Sequence, residues 1–107
     1  MTAILTHDPV LVRFRKALDE IYGNRLERAV LFGSRARGDA HARSDYDVAV
    51  FLRDMTDRFA EMYRLAGIST DIFDETGEPV HAMAYAAGDY NERTPLMHEI
   101  RNDGLDL

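Results

Sequence analysis

Between Ser44 and Leu52 the chain reads SDYDVAVFL, and this run constrains the fold more than any other. Its residues alternate with the period of two that a strand requires, so that Tyr46, Val48, Val50 and Leu52 face one way and Asp45, Asp47, Ala49 and Phe51 the other. Aspartate is depleted in strands, whereas valine and phenylalanine favour them. Two carboxylates on one face at the mouth of an apolar strand therefore sacrifice local preference, and something must compensate. Residues i and i+2 lie roughly 7 Å apart along a strand, near enough for both carboxylates to bind one Mg2+ or to bridge two ions.

The flanking segments supply the elements such a strand needs. THDPVLVRFRKALDEIYGN predicts a helix with Asp8 as N-cap, Pro9 at the first helical position and Gly23 as the stop, its apolar stripe formed by Leu11, Phe14, Leu18, Ile21 and Tyr22. LERAVLFG predicts a short buried strand that ends at Gly33, with room for a small helical turn after it. TDRFAEMYRLAG has helical spacing in Phe59, Met62, Tyr63 and Ala66, with Thr56 or Asp57 as cap and Gly67 as stop. ISTDIFD and PVHAMAYA then predict two strands joined by a hairpin through ETGE. TPLMHEIRNDG closes the chain with a helix capped by Thr94, with Pro95 next and Gly104 at its end. The expected architecture is a single α/β domain over residues 1–107, with a small mixed sheet flanked by helices.

A third carboxylate would complete a two-metal site, and Asp71, flanked by Ile72 and Phe73 in the predicted strand STDIFDE, is the candidate. Asp74 would point to the other face beside the hairpin, where aspartate is an ordinary turn residue. Upstream, Gly33 lets the backbone approach a ligand closely, and Ser34 offers a hydroxyl and free amides to phosphate oxygens. Arg35 and Arg37 add planar donors suited to phosphate. Taken singly these features are bland: Gly-Ser after a strand is a common turn, and Asp45 with Ser44 is a reasonable turn cap. A dinucleotide G-x-G-x-x-G is absent, and so is a P-loop, because no lysine follows Gly38. Only the combination is specific, and it suggests a metal-bound nucleoside triphosphate.

GSRARGDAHARSDYDVAV resembles the nucleotidyltransferase pattern G-S-x-A-x-G, spacer, S-D-x-D and apolar strand, and is most similar to the minimal nucleotidyltransferase (MNT) members. The closing ERTPLMHEIRNDGLDL also resembles their tail, so the likeness covers most of the chain. It implies a polymerase beta-like nucleotidyltransferase fold in which Gly33 and Ser34 hold the triphosphate with Arg35, Arg37 and Ser44 beside them. It further implies that Asp45 and Asp47 bind two Mg2+ ions and that Asp71 helps to activate the attacking hydroxyl. The minimal family acts as the antitoxin of HEPN/MNT pairs, transferring AMP from ATP to a tyrosine hydroxyl of a HEPN ribonuclease toxin. The resemblance thus implies ATP as substrate and a hetero-oligomer with the toxin. Larger relatives carry a helical domain that helps hold base and acceptor, so here part of the acceptor pocket is expected from another chain. Two other classes stay open: an aminoglycoside-type small-molecule adenylyltransferase, and an antitoxin that only covers its toxin.

Composition excludes several alternatives. The net charge of −6 disfavours a broad nucleic-acid surface, which needs clustered cations. No apolar run approaches a membrane span and the first residues lack a secretory signal pattern, so a cytoplasmic protein is the expectation. Without cysteine there is neither a disulfide nor a thiolate zinc site. His7, His41, His81 and His98 show no ligand spacing and read as surface or boundary side chains. Met62, Met83 and Met97 read as core, and Tyr85 and Tyr90 as packing residues.

Overall fold

The computed structural model describes residues 7–40 and 44–107. Helix α1 (Pro9–Tyr22) begins where Asp8 accepts hydrogen bonds from the amides of Val10 and Leu11, and it ends at Gly23. It buries Val10, Leu11, Phe14, Ala17, Leu18 and Tyr22, while Ile21 at the edge of the stripe is half exposed. A 3-10 turn leads into β1 (Leu26–Phe32), and the predicted helical turn after Gly33 is α2 (Ser34–Arg37). Strand β2 (Tyr46–Leu52) pairs antiparallel with β1, and β4 (Leu105–Asp106) lies on the other side of β1. His41 lies outside the described residues.

The segment after β2 corrects the hairpin expectation. One helix, α3 (Arg58–Thr76), runs straight through Gly67 and takes up ISTDIFD, and it delivers β3 (Val80–Ala86) parallel to β2. The physical reason is a buried stripe at helical spacing: Glu61, Leu65, Ile68 and Ile72 face the sheet, so the apolar pattern outlasts the glycine. Gly67 sits on the solvent side, where a helical glycine costs only about 1 kcal/mol relative to alanine. The real stop is Gly77 (φ 74°), whose amide donates to the Phe73 carbonyl. Parallel strands need a crossover of this length, so the β2–α3–β3 unit replaces a tight turn. Of the residues with helical spacing, Met62 packs against the core as read, whereas Phe59 (87% exposed), Tyr63 (83%) and Ala66 form the outer face.

Sheet order is β3-β2-β1-β4. On one face Leu31, Tyr46, Val48, Val50, Leu52, Ala82 and Ala84 pack under α1 and α3. On the other, Val30, Ala49, Phe51 and Tyr85 pack under Met97 and Ile100 of α4 (Pro95–Asp103), which is capped by the Thr94 hydroxyl. Phe51 stacks on Tyr85 at 5.6 Å between ring centroids and meets the edge of Tyr90 at 5.4 Å. Among the described residues no helix is long and apolar enough to cross a membrane.

Two stability predictions follow from α3. Nothing lies within 4 Å of a Cβ added at Gly67. Gly67→Ala is therefore expected to stabilise the domain by about 0.5–1 kcal/mol in urea denaturation, whereas a strand-turn at this point would make it neutral or harmful. Glu61 is buried, which by itself raises its pKa, but hydrogen bonds from Arg25 (2.8 Å) and Arg64 (2.7 Å) outweigh burial and hold it below the ordinary carboxylate value. A lowered pKa stabilises the fold above the unfolded-state value and loses that contribution as pH falls through the folded-state value. Glu61→Gln should therefore cost about 2 kcal/mol at neutral pH, with the difference from the parent shrinking as urea midpoints are taken down through the acid range.

Candidate nucleotide-transfer site

Strand β1 ends at Gly33, which is buried and adopts φ 77°, ψ −158°. A Cβ built there would lie 2.6 Å from Asp47 Oδ2 and 3.5 Å from its Cγ. The Asp47 carboxylate thus rests against the glycine backbone, because the β1/β2 register places Phe32 opposite Asp47. The turn closes behind it: Ala36 and Arg37 amides donate to the Gly33 carbonyl, and Gly38 and Asp39 amides to that of Ser34. Asp45, just ahead of β2, is exposed, and Asp47 is 30% exposed and shares its sheet face with Ala49 and Phe51.

Across β2 and β3 the parallel register pairs Asp47 with His81, and the His81 Nδ1 lies 3.5 Å from Asp47 Oδ1. Sequence reasoning missed this histidine. The signal was the alternation of VHAMAY, which puts His81, Met83 and Tyr85 on one face, but the pairing of that face with Asp47 follows only once β3 is known to be parallel.

Two expected site residues are placed elsewhere. Asp71 is exposed on α3 rather than inside a strand, and it acts with Glu75 on Arg13 of α1, on the sheet face opposite Asp47. Arg35 turns to that same face: its guanidinium lies 3.9 Å over the Tyr46 ring, donates to the Ser44 carbonyl at 2.9 Å and pairs with Glu78 at 3.5 Å. The Tyr46 hydroxyl beneath it donates to Asp8 (2.9 Å), and burial first, with that bond second, pushes it up to about 12. Arg35 is therefore a clamp joining α2, the start of β2 and the approach to β3. Arg37 stays at the other side of the turn, paired with Asp39 at 3.3 Å and with Glu99 of α4 at 3.7 Å.

Among the described residues no three histidine, aspartate or glutamate side chains form a preassembled metal cage. Magnesium does not need one, since it is commonly held by one or two carboxylates together with substrate phosphates. Asp45 and Asp47, with the close approach opened at Gly33, fit that donor set for one ion. The expected seat on Asp71 is not formed.

A family model for the nucleotidyltransferase domain matches residues 11–101, spanning the Gly33–Ser34 turn, both aspartates, the crossover helix and α4. The chain belongs to the nucleotidyltransferase domain family. A protein of Methanocaldococcus jannaschii named as a protein adenylyltransferase is 39% identical over 46 residues, which is 43% of this chain and 46% of that protein. This nucleotidyltransferase chain therefore aligns with about half the length of that curated relative. Among solved structures, a chain of the toxin–antitoxin complex MntA–HpeT superposes with TM-score 0.64 at 24% identity, covering 90% of this chain and 69% of that one. A toxin–antitoxin structure with AMP-PNP gives TM-score 0.65 at 23% identity, covering 89% and 69%. A Sulfolobus solfataricus protein described as a nucleotidyltransferase gives 0.65 at 19%, covering 91% and 75%. These likenesses establish the mixed sheet with flanking helices as the nucleotidyltransferase fold.

Geometry and family together give a prediction for Asp71. As an exposed residue on the far face, Asp71→Asn should leave nucleotidyl transfer within about twofold of the parent, the range of a neutral surface change. Initial rates with the two proteins side by side check it.

Proposed function

We propose that this nucleotidyltransferase is an antitoxin that transfers AMP from ATP to a tyrosine hydroxyl of a cognate HEPN ribonuclease toxin in a Mg2+-dependent reaction. The observation that carries the reading is the corner where Asp47 lies against Gly33 with the Ser34 turn at its edge, Asp45 being the exposed residue just ahead of the same strand. A carboxylate pressed onto a side-chain-free backbone leaves room on its open side for a polyphosphate, and the turn places Ser34 next to it.

In the reaction the acceptor oxygen bonds to the α-phosphorus, the bond to pyrophosphate breaks, and the hydroxyl proton is released to solvent or buffer. Magnesium held by Asp45 and Asp47 supplies neutralisation of charge on the phosphates when bound. The chain's own residues do the positioning. Asp47 presents its oxygens on the β2 face and Asp45 supplies a second carboxylate just ahead of the strand, Gly33 sets how closely the nucleotide approaches, and Ser34 and Arg37 offer donors at the turn. Arg35 holds the turn in register with β2 through the Ser44 carbonyl rather than reaching phosphate directly, and Ser44 remains a phosphate donor in this reading. His81 leans on Asp47 and limits its rotation. The floor of Ala49, Phe51 and Tyr85 keeps the inner side of the site dry and rigid.

The relatives support the antitoxin reading through what they are: a protein named as a protein adenylyltransferase, and toxin–antitoxin complexes, one of them holding AMP-PNP. The net charge of −6 suits a basic protein partner. The test is the intact mass of the adjacently encoded protein after incubation with this chain, ATP and Mg2+. A gain of whole AMP units is expected with the parent protein and not with Asp47→Asn. An unchanged mass despite a stable complex with both versions would refute the transfer and leave an antitoxin that acts by binding.

A further inference from the structure

Helix α3 carries a second apolar seam that the domain does not use. Phe59, Tyr63, Ala66, Thr70 and Phe73 are all exposed, and their spacings of four, three, four and three residues are those of a seam that packs against another helix. The inner stripe, Leu65, Ile68 and Ile72, already fills the core, so this 19-residue helix is apolar on two faces. We propose that the outer seam pairs with the same seam of a second copy of this chain, with the two α3 helices antiparallel about a two-fold axis at Ala66.

Self-complementarity argues for that occupant. Under such an axis Phe59 meets Phe73 of the other copy, Tyr63 meets Thr70, and Ala66 meets itself. Large residues lie at both ends and the smallest at the centre, where helix axes approach most closely. Charge selects the direction. Residues 57–66 carry Asp57, Arg58, Glu61 and Arg64, a net of zero, whereas residues 67–76 carry Asp71, Asp74 and Glu75, a net of −3. A parallel pair would set the two acidic halves against each other, and an antiparallel pair separates them and also opposes the helix dipoles favourably.

Area sets the strength. Phe59 is 87%, Tyr63 83% and Phe73 53% exposed, so the three aromatics offer roughly 450 Å² per copy and the pair about 900 Å², with the seam's smaller residues added. That lies at the low end for specific interfaces, and it predicts a reversible dimer with a dissociation constant on the order of micromolar. Asp47 faces the opposite side of the sheet, so pairing leaves the nucleotide-transfer site open.

Sedimentation equilibrium from low micromolar to near millimolar concentration should show a monomer–dimer equilibrium for the parent and a monomer throughout for Tyr63→Glu, with both giving the same circular dichroism. The chain has no cysteine, so single-cysteine variants report the axis cleanly. Ala66→Cys should cross-link to a dimer with a short bismaleimide. Phe59→Cys should not, because in the antiparallel pair the two positions are separated by 14 residues of helical rise, about 21 Å. A parent that stays monomeric throughout overturns the proposal, as does a dimer insensitive to Tyr63→Glu. Self-linking of Phe59→Cys without that of Ala66→Cys would overturn the antiparallel geometry, and burial of the seam only when a different protein is added would assign it to that protein instead.

Discussion

Asp47→Asn is expected to lower nucleotidyl transfer by at least about 100-fold while the urea midpoint stays close to that of the parent. The substitution keeps the size of the side chain and its place against Gly33, but it replaces an anionic oxygen with an amide that cannot hold a hard cation. The structural loss is small because Asp47 is partly exposed and rests against the glycine backbone and an exposed His81. Rates at saturating and limiting ATP, with a denaturation curve on the same preparation, separate the two roles. A parallel loss of stability and activity would mean that the carboxylate is kept for the fold.

Gly33→Ala should be nearly as damaging to the reaction, by a different route. The added methyl falls 2.6 Å from Asp47 Oδ2, closer than real Cβ contacts come, so the carboxylate must rotate or β1 and β2 must separate. The left-handed φ of 77° adds a backbone cost of about 1 kcal/mol or more. Gly38→Ala is the matching control, since Gly38 also has positive φ (83°) but nothing lies within 4 Å of its added Cβ. Gly33→Ala should also lose more stability, because its φ 77° with ψ −158° is a region open to little but glycine whereas Gly38 (φ 83°, ψ 11°) is in the left-handed helical region, and only Gly33→Ala should lose transfer by about 100-fold, because displacing a positioned group by an ångström costs that much. Equal activities in the two variants would remove Asp47's contact with Gly33 from the account.

How much of this could be read from residues alone depended on whether the deciding contacts were local. The caps of α1 and α4, the alternation of β2 and the glycine that ends β1 are written within a few residues of sequence, and each appears in the structure as read. Strand geometry puts Asp47 on the face of Ala49 and Phe51 as read, whereas Asp45 falls one residue ahead of the strand. Gly67 has the look of a helix stop in the sequence, but Leu65, Ile68 and Ile72 continue inward on the far side of the helix and a solvent-facing glycine is tolerated, so α3 runs on. Asp71, which a strand over ISTDIFD would point inward, lies on that helix instead. Arg35 looked like a phosphate ligand by neighbourhood, but whether an arginine at a turn reaches one sheet face or the other is decided by Tyr46 and Glu78, which are 11 and 43 positions further along the chain (46 − 35 and 78 − 35). His81 meets Asp47 only through a parallel pairing set by a 19-residue crossover, and no local pattern announces that.

The central claim is that metal and nucleotide meet on the β2 face beside Gly33. The most direct measurement is an amide NMR spectrum of the 15N-labelled protein, recorded as ATP with a trace of paramagnetic Mn2+ is added. Broadening should begin at Gly33, Ser34, Asp45 and Asp47 and extend to His81, while Arg13, Thr70 and Asp71 on the opposite face stay sharp. Broadening centred on α3, or an unaffected Gly33–Asp47 corner, would contradict the account.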